Sequence, residues 1–300
     1  MVDMDASAGL STLSKHVTSA ALHCGSKTLS LDQPRVMGIL NVTPDSFSDG
    51  GQYYKIDNAL AQAEAMLADG ADILDVGGES TRPGAQAVDQ QEEIDRVVPV
   101  IEAIAMRFDT IISVDTSKPA VMQSACEAGA GIINDVRALR EPGALAMAAK
   151  IGVPVCLMHM QGEPRTMQNA PQYHNVVEQV VAWLLERRTA CLAAGIQAQQ
   201  IVLDPGFGFG KTLSHNLCLI AGLEKLCRHA PVLIGLSRKR MLGAILGDDA
   251  ASRVVASVTA ALLSIQRGAS IVRVHDVGPT VQALAVSNAV EQVAVEIGDE

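Results

Sequence analysis

Short apolar runs recur along the chain from residue 36 onward, and each run ends in a polar or glycine-rich stretch. The runs are of strand length, and several are rich in β-branched residues, as buried strands are. They occupy residues 36–40, 73–76, 110–114, 131–133, 154–158, 201–203, 232–235 and 271–274. The pattern therefore predicts eight short strands.

Helical patterns lie between these runs, with apolar residues spaced at i, i+3 and i+4. Helices are predicted at 57–69, 92–106, 118–129, 176–194, 252–266 and 278–291. Strands that alternate with helices imply a parallel sheet with right-handed crossovers. We expect the α/β class and a single (β/α)8 TIM barrel with its active site at the carboxyl ends of the strands. An open, doubly wound sheet is the alternative.

The domain boundaries follow from the ends of this pattern. Residues 1–21 are small and polar with weak periodicity, which predicts a flexible N-terminal extension. Residues 28–31 predict a short strand that caps the barrel. No Pro- or Ser-rich linker divides the rest, so residues 22–300 are expected to form one barrel domain.

Length and composition agree with such a domain. The 300 residues match one barrel of roughly 250 residues with additions. A chain that is 48% hydrophobic is not disordered, and a net charge of −10 argues against a nucleic-acid or anionic-membrane surface. No apolar stretch approaches the about 18 residues that a membrane span needs.

The six cysteines show no C-x-x-C spacing, which argues against a disulfide scaffold or a zinc site. The amino terminus also lacks the apolar region of a signal peptide. We expect reduced thiols and a cytoplasmic protein.

Polar residues follow every predicted strand, which is the layout of an active site in an α/β barrel. A single such residue could be explained by a solvated loop, but the pattern repeats at all eight strands. The residues are Asn41, Asp75, Asp115, Asn134, Asp135, His159, Asp204, Ser237, Arg238, Lys239, Arg273 and His275.

Two chemical functions can be assigned within this set. Asp115, Asn134 and Asp204 come from three strands and could pair with a heterocycle edge that carries donors and acceptors. Structural salt bridges are the competing interpretation. A cationic group in an otherwise acidic protein predicts an anionic substrate. Its members are Arg82, Arg238, Lys239, Arg273 and His275.

The glycine-rich segment 205–211 matches neither a P-loop nor a dinucleotide fingerprint, because its glycines have the wrong spacing. Phe207 and Phe209 alternate with these glycines, and Phe47 lies in another loop. A flat aromatic substrate could rest on one of them, while the others pack loops onto the barrel. For His159 we favour a structural role.

Eight blocks of sequence make the chain similar to the dihydropteroate synthase family, in its bacterial monofunctional form. The resemblance extends over about residues 34–290, with the family's order and spacing. The blocks are 37–51 (MGILNVTPDSFSDGG), 70–84 (GADILDVGGESTRPG), 112–116 (ISVDT), 132–136 (IINDV), 157–162 (LMHMQG), 203–211 (LDPGFGFGK), 237–239 (SRK) and 273–275 (RVH). Arg240 departs from the smaller residue expected after SRK.

The resemblance implies a transferase of folate biosynthesis with a pterin-binding barrel. Such an enzyme condenses 6-hydroxymethyl-7,8-dihydropterin diphosphate with 4-aminobenzoate to give 7,8-dihydropteroate and diphosphate, through a pterin cation. The resemblance further implies Mg²⁺ as cofactor, inhibition by sulfonamides, and a homodimer packed through late helices.

The same resemblance assigns roles to individual residues. Pterin binding is implied for Asp115, Asn134, Asp204, Lys239 and Arg273. Diphosphate binding is implied for Asn41, Thr81, Arg82, Arg273 and His275, with Asn41 as the Mg²⁺ ligand. Aminobenzoate binding is implied for Thr81, Arg82, Pro83, Phe209, Ser237 and Lys239. A mobile loop is implied for Asp45, Phe47, Ser48 and Asp49.

Three other functions compete with this interpretation. A methyltetrahydrofolate-dependent methyltransferase domain would share Asp115, Asn134 and Asp204 but not the SRK and loop blocks. A non-catalytic pterin-binding scaffold would be indicated by loss of Asn41 or Arg273, and both are present. A phosphate-binding aldolase or epimerase would need a Schiff-base lysine on a strand.

Overall fold

The computed structural model of the chain describes residues 21–42, 52–80, 87–162, 167, 171–247 and 252–298. The strands are β1 Ala21–Cys24, β2 Lys27–Ser30, β3 Arg35–Asn41, β4 Ile73–Gly77, β5 Ile111–Asp115, β6 Ile132–Asp135, β7 Val155–Met158, β8 Ile201–Asp204, β9 Leu233–Ile234 and β10 Ile271–Val274. The helices are α1 Gln52–Ala68, α2 Gln90–Arg107, α3 Pro119–Glu127, α4 Ala144–Ile151, α5 Val176–Ala193, α6 Leu213–Ala221, α7 Glu224–Cys227, α8 Arg240–Leu246, α9 Val254–Ile265 and α10 Val277–Gly298.

Strands β3 to β10 form an eight-stranded parallel sheet that closes on itself. Strand β10 pairs with both β3 and β9, and a bridge between Leu203 and Val232 joins β8 to the segment that leads into β9. The predicted (β/α)8 barrel is confirmed, and the open sheet is wrong. All eight predicted runs lie on these strands.

Side chains that point into the barrel form two layers of different chemistry. The layer toward the amino ends is apolar and consists of Met37, Ile73, Ile111, Ile132, Cys156, Val202, Leu233 and Ile271. Because successive side chains alternate between faces, the residue two positions further along a strand shares the same face. Four of those eight positions hold Asp75, Asn134, Asp204 and Arg273, and a fifth holds Ser113. Polar residues are therefore concentrated in the carboxyl half of the interior.

A two-stranded antiparallel hairpin, β1 and β2, closes the amino end of the barrel. Its Leu22, Cys24, Leu29 and Leu31 belong to the same apolar cluster as the lower layer. A Cβ at Gly131 would lie 2.8 Å from the Cys24 carbonyl oxygen, so glycine permits this close packing.

This hairpin modifies two predictions. Strand β2 confirms the short strand predicted at 28–31, although it begins one residue earlier and its partner β1 was not predicted. Ala21, the last residue of the predicted extension, begins β1. Residues 1–20 lie outside the described part of the chain.

The helices surround the barrel with their apolar faces inward. In α2, Asp89 caps the first turn by accepting from the Gln91 N–H, and Val97, Ile101 and Ile104 are buried. The six predicted helices correspond to α1, α2, α3, α5, α9 and α10. Helices α4, α6, α7 and α8 were not predicted. Within the described residues, none of the helices has the length and apolar character required to cross a membrane.

Candidate active site

Arg273 on β10 contacts carboxylates on two other strands, β4 and β5, at the carboxyl end of the barrel. Its Nε donates to Asp75 Oδ2 at 2.6 Å, and its Nη2 donates to Asp115 Oδ2 at 2.8 Å. The Asn134 amide also donates to Asp75 Oδ2, at 3.1 Å. These contacts bring β4, β5, β6 and β10 together at one polar centre. Asp115, Asn134 and Arg273 therefore lie together at the carboxyl end of the barrel.

Asp75, which the sequence places at the end of a strand, is the site residue to which sequence reasoning gave no role. It is fully buried, and its Oδ1 has no hydrogen-bond partner among the described residues. The sequence places it at the end of the second apolar run, but nothing there distinguishes it from a residue that ends a strand. In the structure, Asp75 pairs with Ser113, two residues before Asp115 in the neighbouring strand. The sequence alone does not determine this register.

The acids of this centre are held in an environment that opposes their ionisation. Burial raises the pKa of Asp115 to about 7, with Arg273 opposing the rise and Asp75 adding to it. Burial also raises the pKa of Asp204, opposed by Lys239 and by the Gly206 N–H. The pKa of Arg273 is raised because Asp75 and Asp115 outweigh its burial. The floor of the site therefore combines buried acids with a permanent cation.

Lys239, the residue before α8, brings a second cation to the mouth. Its ammonium donates to the Phe207 carbonyl and lies 4.7 Å from the centroid of the Phe209 ring. Burial lowers the pKa of Lys239 to about 8, while Asp204 acts in the opposite direction. Phe207 is fully buried and packs the loop, whereas Phe209 is half-buried beside Lys239.

Ser237 and His275 form a hydrogen-bonded pair next to Arg273. The Ser237 hydroxyl accepts from the His275 backbone N–H at 3.1 Å and lies 3.0 Å from His275 Nδ1. Arg238, which the sequence assigned to the cationic group, is instead paired with Asp276 through two hydrogen bonds. The backbone φ of Arg238 is 57°, a left-handed conformation that separates its side chain from those of Ser237 and Lys239.

The glycine-rich loop after β8 is shaped by close packing against the loop after β7. A Cβ at Gly206 would overlap the carbonyl oxygen of His159, and Gly206 adopts a φ of 65°. Asp204 Oδ1 accepts from the Gly206 N–H at 2.7 Å. The loop thus holds Asp204 in place through this hydrogen bond.

His159 lies in the packing between these two loops. It is buried, its Nδ1 lies 3.0 Å from Lys211 Nζ, and its ring meets Trp183 edge-on at 5.0 Å. Burial and the nearby Lys211 lower the pKa of His159 to about 3, so the imidazole is neutral. These contacts agree with the structural role favoured from the sequence.

Asn41 ends β3 opposite Asp115. A Cβ at Gly77 would lie 3.8 Å from both Asn41 Oδ1 and Asp115 Oδ2, so glycine leaves the space between these side chains open. Among the described residues, no group of three or more His, Cys, Asp or Glu side chains could hold a metal by itself. A metal beside Asn41 would therefore need oxygen ligands from substrate and water.

Several predicted residues lie outside the described part of the chain. They are Asp45, Phe47, Ser48, Asp49, Thr81, Arg82 and Pro83. The described geometry still provides buried hydrogen-bonding groups for a polar heterocycle, cations for an anion, and an aromatic face beside a lysine stem.

Comparison with known proteins identifies relatives of the whole barrel. A family model described as pterin binding enzyme matches residues 37–275. The chain is 53% identical over 266 residues to the dihydropteroate synthase of Haemophilus influenzae, which covers 88% of this chain and 97% of that relative.

Solved structures give the same result. A Xanthomonas albilineans dihydropteroate synthase with 4-aminobenzoic acid matches with a TM-score of 0.86 and 52% identity, over 91% of this chain and 99% of that chain. A Yersinia pestis dihydropteroate synthase in a sulfonamide drug complex also matches with a TM-score of 0.86 and 52% identity, over 91% of this chain and 99% of that one.

Proposed function

The chain belongs to the pterin-binding enzymes and, within them, to the dihydropteroate synthases, and we propose how its residues divide the reaction among them. It is a transferase that condenses 6-hydroxymethyl-7,8-dihydropterin diphosphate with 4-aminobenzoate, giving 7,8-dihydropteroate and diphosphate. The observation that carries the assignment of residues is the buried centre in which Arg273 joins Asp75 and Asp115 beside Asn134.

The pterin edge is held by Asp115, Asn134 and Asp204, with Lys239 and Arg273 beside them. A pterin presents several N–H donors and ring acceptors along one edge, and carboxylate, amide and ammonium groups complement both kinds. The convergence of Asp115, Asn134 and Arg273 at the barrel mouth supports this assignment. These groups are buried, so a ligand that does not match them would leave a polar group without a hydrogen-bond partner. Their hydrogen bonds therefore select for a matching ligand.

The diphosphate lies at the edge formed by Asn41, Arg273 and His275, with Thr81 and Arg82 as further partners. Arg273 carries a permanent charge and several donors, which suits an anion that gains charge as it leaves. The 4-aminobenzoate lies beside Phe209, Ser237 and the stem of Lys239, and Thr81, Arg82 and Pro83 are further proposed contacts. The Lys239 ammonium above the Phe209 ring supports the aromatic part of this proposal.

The reaction proceeds by departure of diphosphate before attack of the amine. The C–O bond breaks first, and the resulting methylene cation is delocalised into the electron-rich dihydropterin ring. Buried carboxylates at Asp115 and Asp204 favour positive charge on that ring. The amine of 4-aminobenzoate is a nucleophile at neutral pH, so this site requires no strong general base. His159 is buried and neutral, which is consistent with a site that has no strong general base.

Mg²⁺ is the proposed cofactor, with Asn41 as its protein ligand. Mg²⁺ favours oxygen donors and commonly keeps waters and substrate phosphates in its shell, so one amide oxygen beside the proposed diphosphate site is a suitable protein contribution. The open space kept by Gly77 between Asn41 and Asp115 supports this fit. When bound, the ion would neutralise charge on the departing diphosphate.

An Asn41→Ala variant tests the metal assignment. Turnover and its Mg²⁺ requirement should weaken more than binding of the pterin, since the pterin edge contacts other residues. Calorimetry with a pterin that lacks the diphosphate measures the second quantity. An unchanged Mg²⁺ dependence and rate would remove Asn41 from the metal site.

We also propose that the chain works as a cytoplasmic homodimer and is inhibited by sulfonamides. All six cysteines are free, as expected in a reducing compartment. Exposed apolar side chains concentrate on the late helices, which supports their use as the subunit interface. They include Leu217, Ile245, Val255, Val286, Val290 and Val293. Inhibition by a sulfonamide follows from its likeness to 4-aminobenzoate.

The reaction itself is tested by incubating the chain with the pterin diphosphate, 4-aminobenzoate and Mg²⁺ and measuring dihydropteroate and diphosphate. Arg273→Gln should abolish turnover, because it removes the cation shared by the pterin and diphosphate sites. Arg228→Gln is the matched control, since Arg228 is exposed after α7 on the amino side of the barrel. Full activity in Arg273→Gln would contradict the proposed assignment.

A further inference from the structure

Lys211 is a buried lysine for which the proposed substrate contacts provide no role. It ends the glycine-rich loop and is 4% exposed. Its ammonium donates to the carbonyl oxygens of Gly206 and Phe209, each at 2.9 Å, and lies 3.0 Å from His159 Nδ1. These three acceptors match the three N–H groups of an ammonium. Lys211 is therefore fully engaged within the loop.

The two carbonyls that Lys211 holds belong to the loop that meets Lys239. Phe207 and Gly208 lie between them: the Phe207 carbonyl accepts from Lys239, and a Cβ at Gly208 would lie 3.3 Å from Lys239 Cδ. Phe209 carries one of the two carbonyls and places its ring beside the Lys239 ammonium. A shift of the loop would thus move Phe209 and Lys239 together.

His159 gives Lys211 a fixed acceptor. Its backbone N–H donates to the Asp204 carbonyl at 2.9 Å, and its ring is held edge-on against Trp183. A neutral imidazole with its proton on Nε2 leaves Nδ1 as an acceptor for the ammonium. The pair therefore connects the loop after β7 to the loop after β8.

We propose that Lys211 and His159 are positioning residues that hold the 206–210 loop so that Phe209 and the Lys239 stem can receive 4-aminobenzoate. This inference rests on the proposed placement of that substrate beside Phe209 and Lys239. Lys211 acts through the loop and touches neither substrate. Its removal should therefore affect the second substrate more than the pterin, whose edge is held by Asp115, Asn134 and Asp204.

Lys211→Met is the primary test, because methionine keeps much of the side-chain volume but has no donors. The KM for 4-aminobenzoate should rise roughly ten- to hundredfold, as expected when buried acceptors lose their partner. The KM for the pterin diphosphate should change less than about threefold. Lys150→Met, an exposed lysine on α4, is the matched control and should leave both constants unchanged.

A pair of His159 variants separates positioning from general stability. Asparagine can offer an oxygen near the position of Nδ1, so His159→Asn should retain most affinity for 4-aminobenzoate, whereas His159→Leu should resemble Lys211→Met. The double variant Lys211→Met/His159→Leu should be no worse than Lys211→Met alone, because Lys211→Met already removes the contact that His159→Leu removes. Additive losses, or equal increases in both KM values, would overturn the proposal.

Fluorescence provides a measurement that does not depend on turnover. Trp183 is the single tryptophan of the chain and contacts His159, so its emission should change in Lys211→Met and remain unchanged in Lys150→Met. Unchanged emission together with an unchanged KM for 4-aminobenzoate in a folded Lys211→Met protein would overturn the inference. Failure of the unaltered chain to form dihydropteroate would instead contradict the reaction, which is measured separately.

Discussion

At the residue scale, the polar centre depends on one carboxylate oxygen that serves two donors. Asp75 Oδ2 accepts from both Arg273 and Asn134, so this residue aligns two of the groups assigned to the pterin. Sequence reasoning gave a role to Asp115, Asn134, Asp204 and Arg273, whereas Asp75 was named only as a polar residue at the end of a strand. Motifs indicate residues by type and spacing, whereas the role of Asp75 arises from strand register, which the closed barrel determines.

Asp75→Asn should impair the use of the pterin diphosphate without abolishing the fold. The substitution preserves shape but removes the charge that pairs with Arg273, and loss of one partner of a buried ion pair costs about 3–5 kcal/mol. We expect a lower melting temperature and a KM for the pterin diphosphate raised by more than about tenfold.

Asp72→Asn is the matched control for that experiment. Asp72 accepts from Arg35 Nη1 at 3.2 Å and from the Val36 N–H at 2.8 Å, at the opposite end of the barrel. It should lower the melting temperature while leaving the KM values intact. Equal kinetic effects in both variants would show that Asp75 acts through stability alone.

The pH dependence of kcat/KM for the pterin diphosphate should be bell-shaped, with its maximum between the pKa values of Asp115 and Lys239, about 7 and about 8. Because burial raises the pKa of Asp115, falling pH protonates it and removes a negative acceptor. Because burial lowers the pKa of Lys239, rising pH removes its positive charge. Initial rates at low substrate from pH 5 to 10 measure both limbs.

Asp115→Asn assigns the acidic limb of that profile. The variant should be less active, but its remaining activity should no longer decline as pH falls through the pKa of Asp115. A persistent acidic limb would assign that ionisation to another group.

At the scale of elements, the strands were predictable and some helices were not. Each strand carries a compact apolar run, because the barrel buries it on both sides. Helix α4 is alanine-rich and lies between Gly143 and Gly152, so its periodicity is hard to recognise in the sequence. Helix α6 directly follows the glycine-rich loop. Strand β1, which was not predicted, has only four residues and is too short for a clear alternation.

The hairpin should contribute to stability and not to catalysis. Leu22 is 1% exposed in the apolar cluster at the amino end, so Leu22→Ala should lower the free energy of unfolding by about 2–5 kcal/mol. Urea titration measures this loss, and kcat should remain unchanged in the folded protein. His23→Ala, on the exposed side of the same strand, should have little effect on either quantity.

The glycine-rich loop should tolerate no side chain at Gly206. In Gly206→Ala the new methyl group would overlap the His159 carbonyl and also force alanine into a left-handed φ. Gly152→Ala is the matched control, because its φ is 78° but open space surrounds the added Cβ. The control should lose about 1–2 kcal/mol of unfolding free energy.

Gly206→Ala should lose more stability than this control, and its KM for 4-aminobenzoate should also rise. Equal losses in the two variants would mean that the contact with His159 does not constrain the loop. Thermal melts and steady-state rates on both variants give the comparison.

At the scale of the whole molecule, one side of the barrel carries exposed apolar side chains on α9 and α10. Val286, Val290 and Val293 are spaced at i, i+4 and i+7 on α10, which places them on one face of that helix. Neighbouring α9 adds Val255, which is 79% exposed. An exposed apolar surface of this kind is typical of a site where another protein surface binds.

Val286→Glu/Val290→Glu should therefore convert the proposed homodimer into a monomer. Two charges on the apolar face of α10 would be buried without partners in a symmetric interface, where each is opposed by its copy. Light scattering coupled to size-exclusion chromatography should give twice the chain mass for the unaltered protein and the single mass for the variant. Met106→Glu, at an exposed apolar position at the end of α2, should leave the dimer intact. A monomeric unaltered protein, or a dimeric double variant, would place the subunit interface elsewhere or remove it.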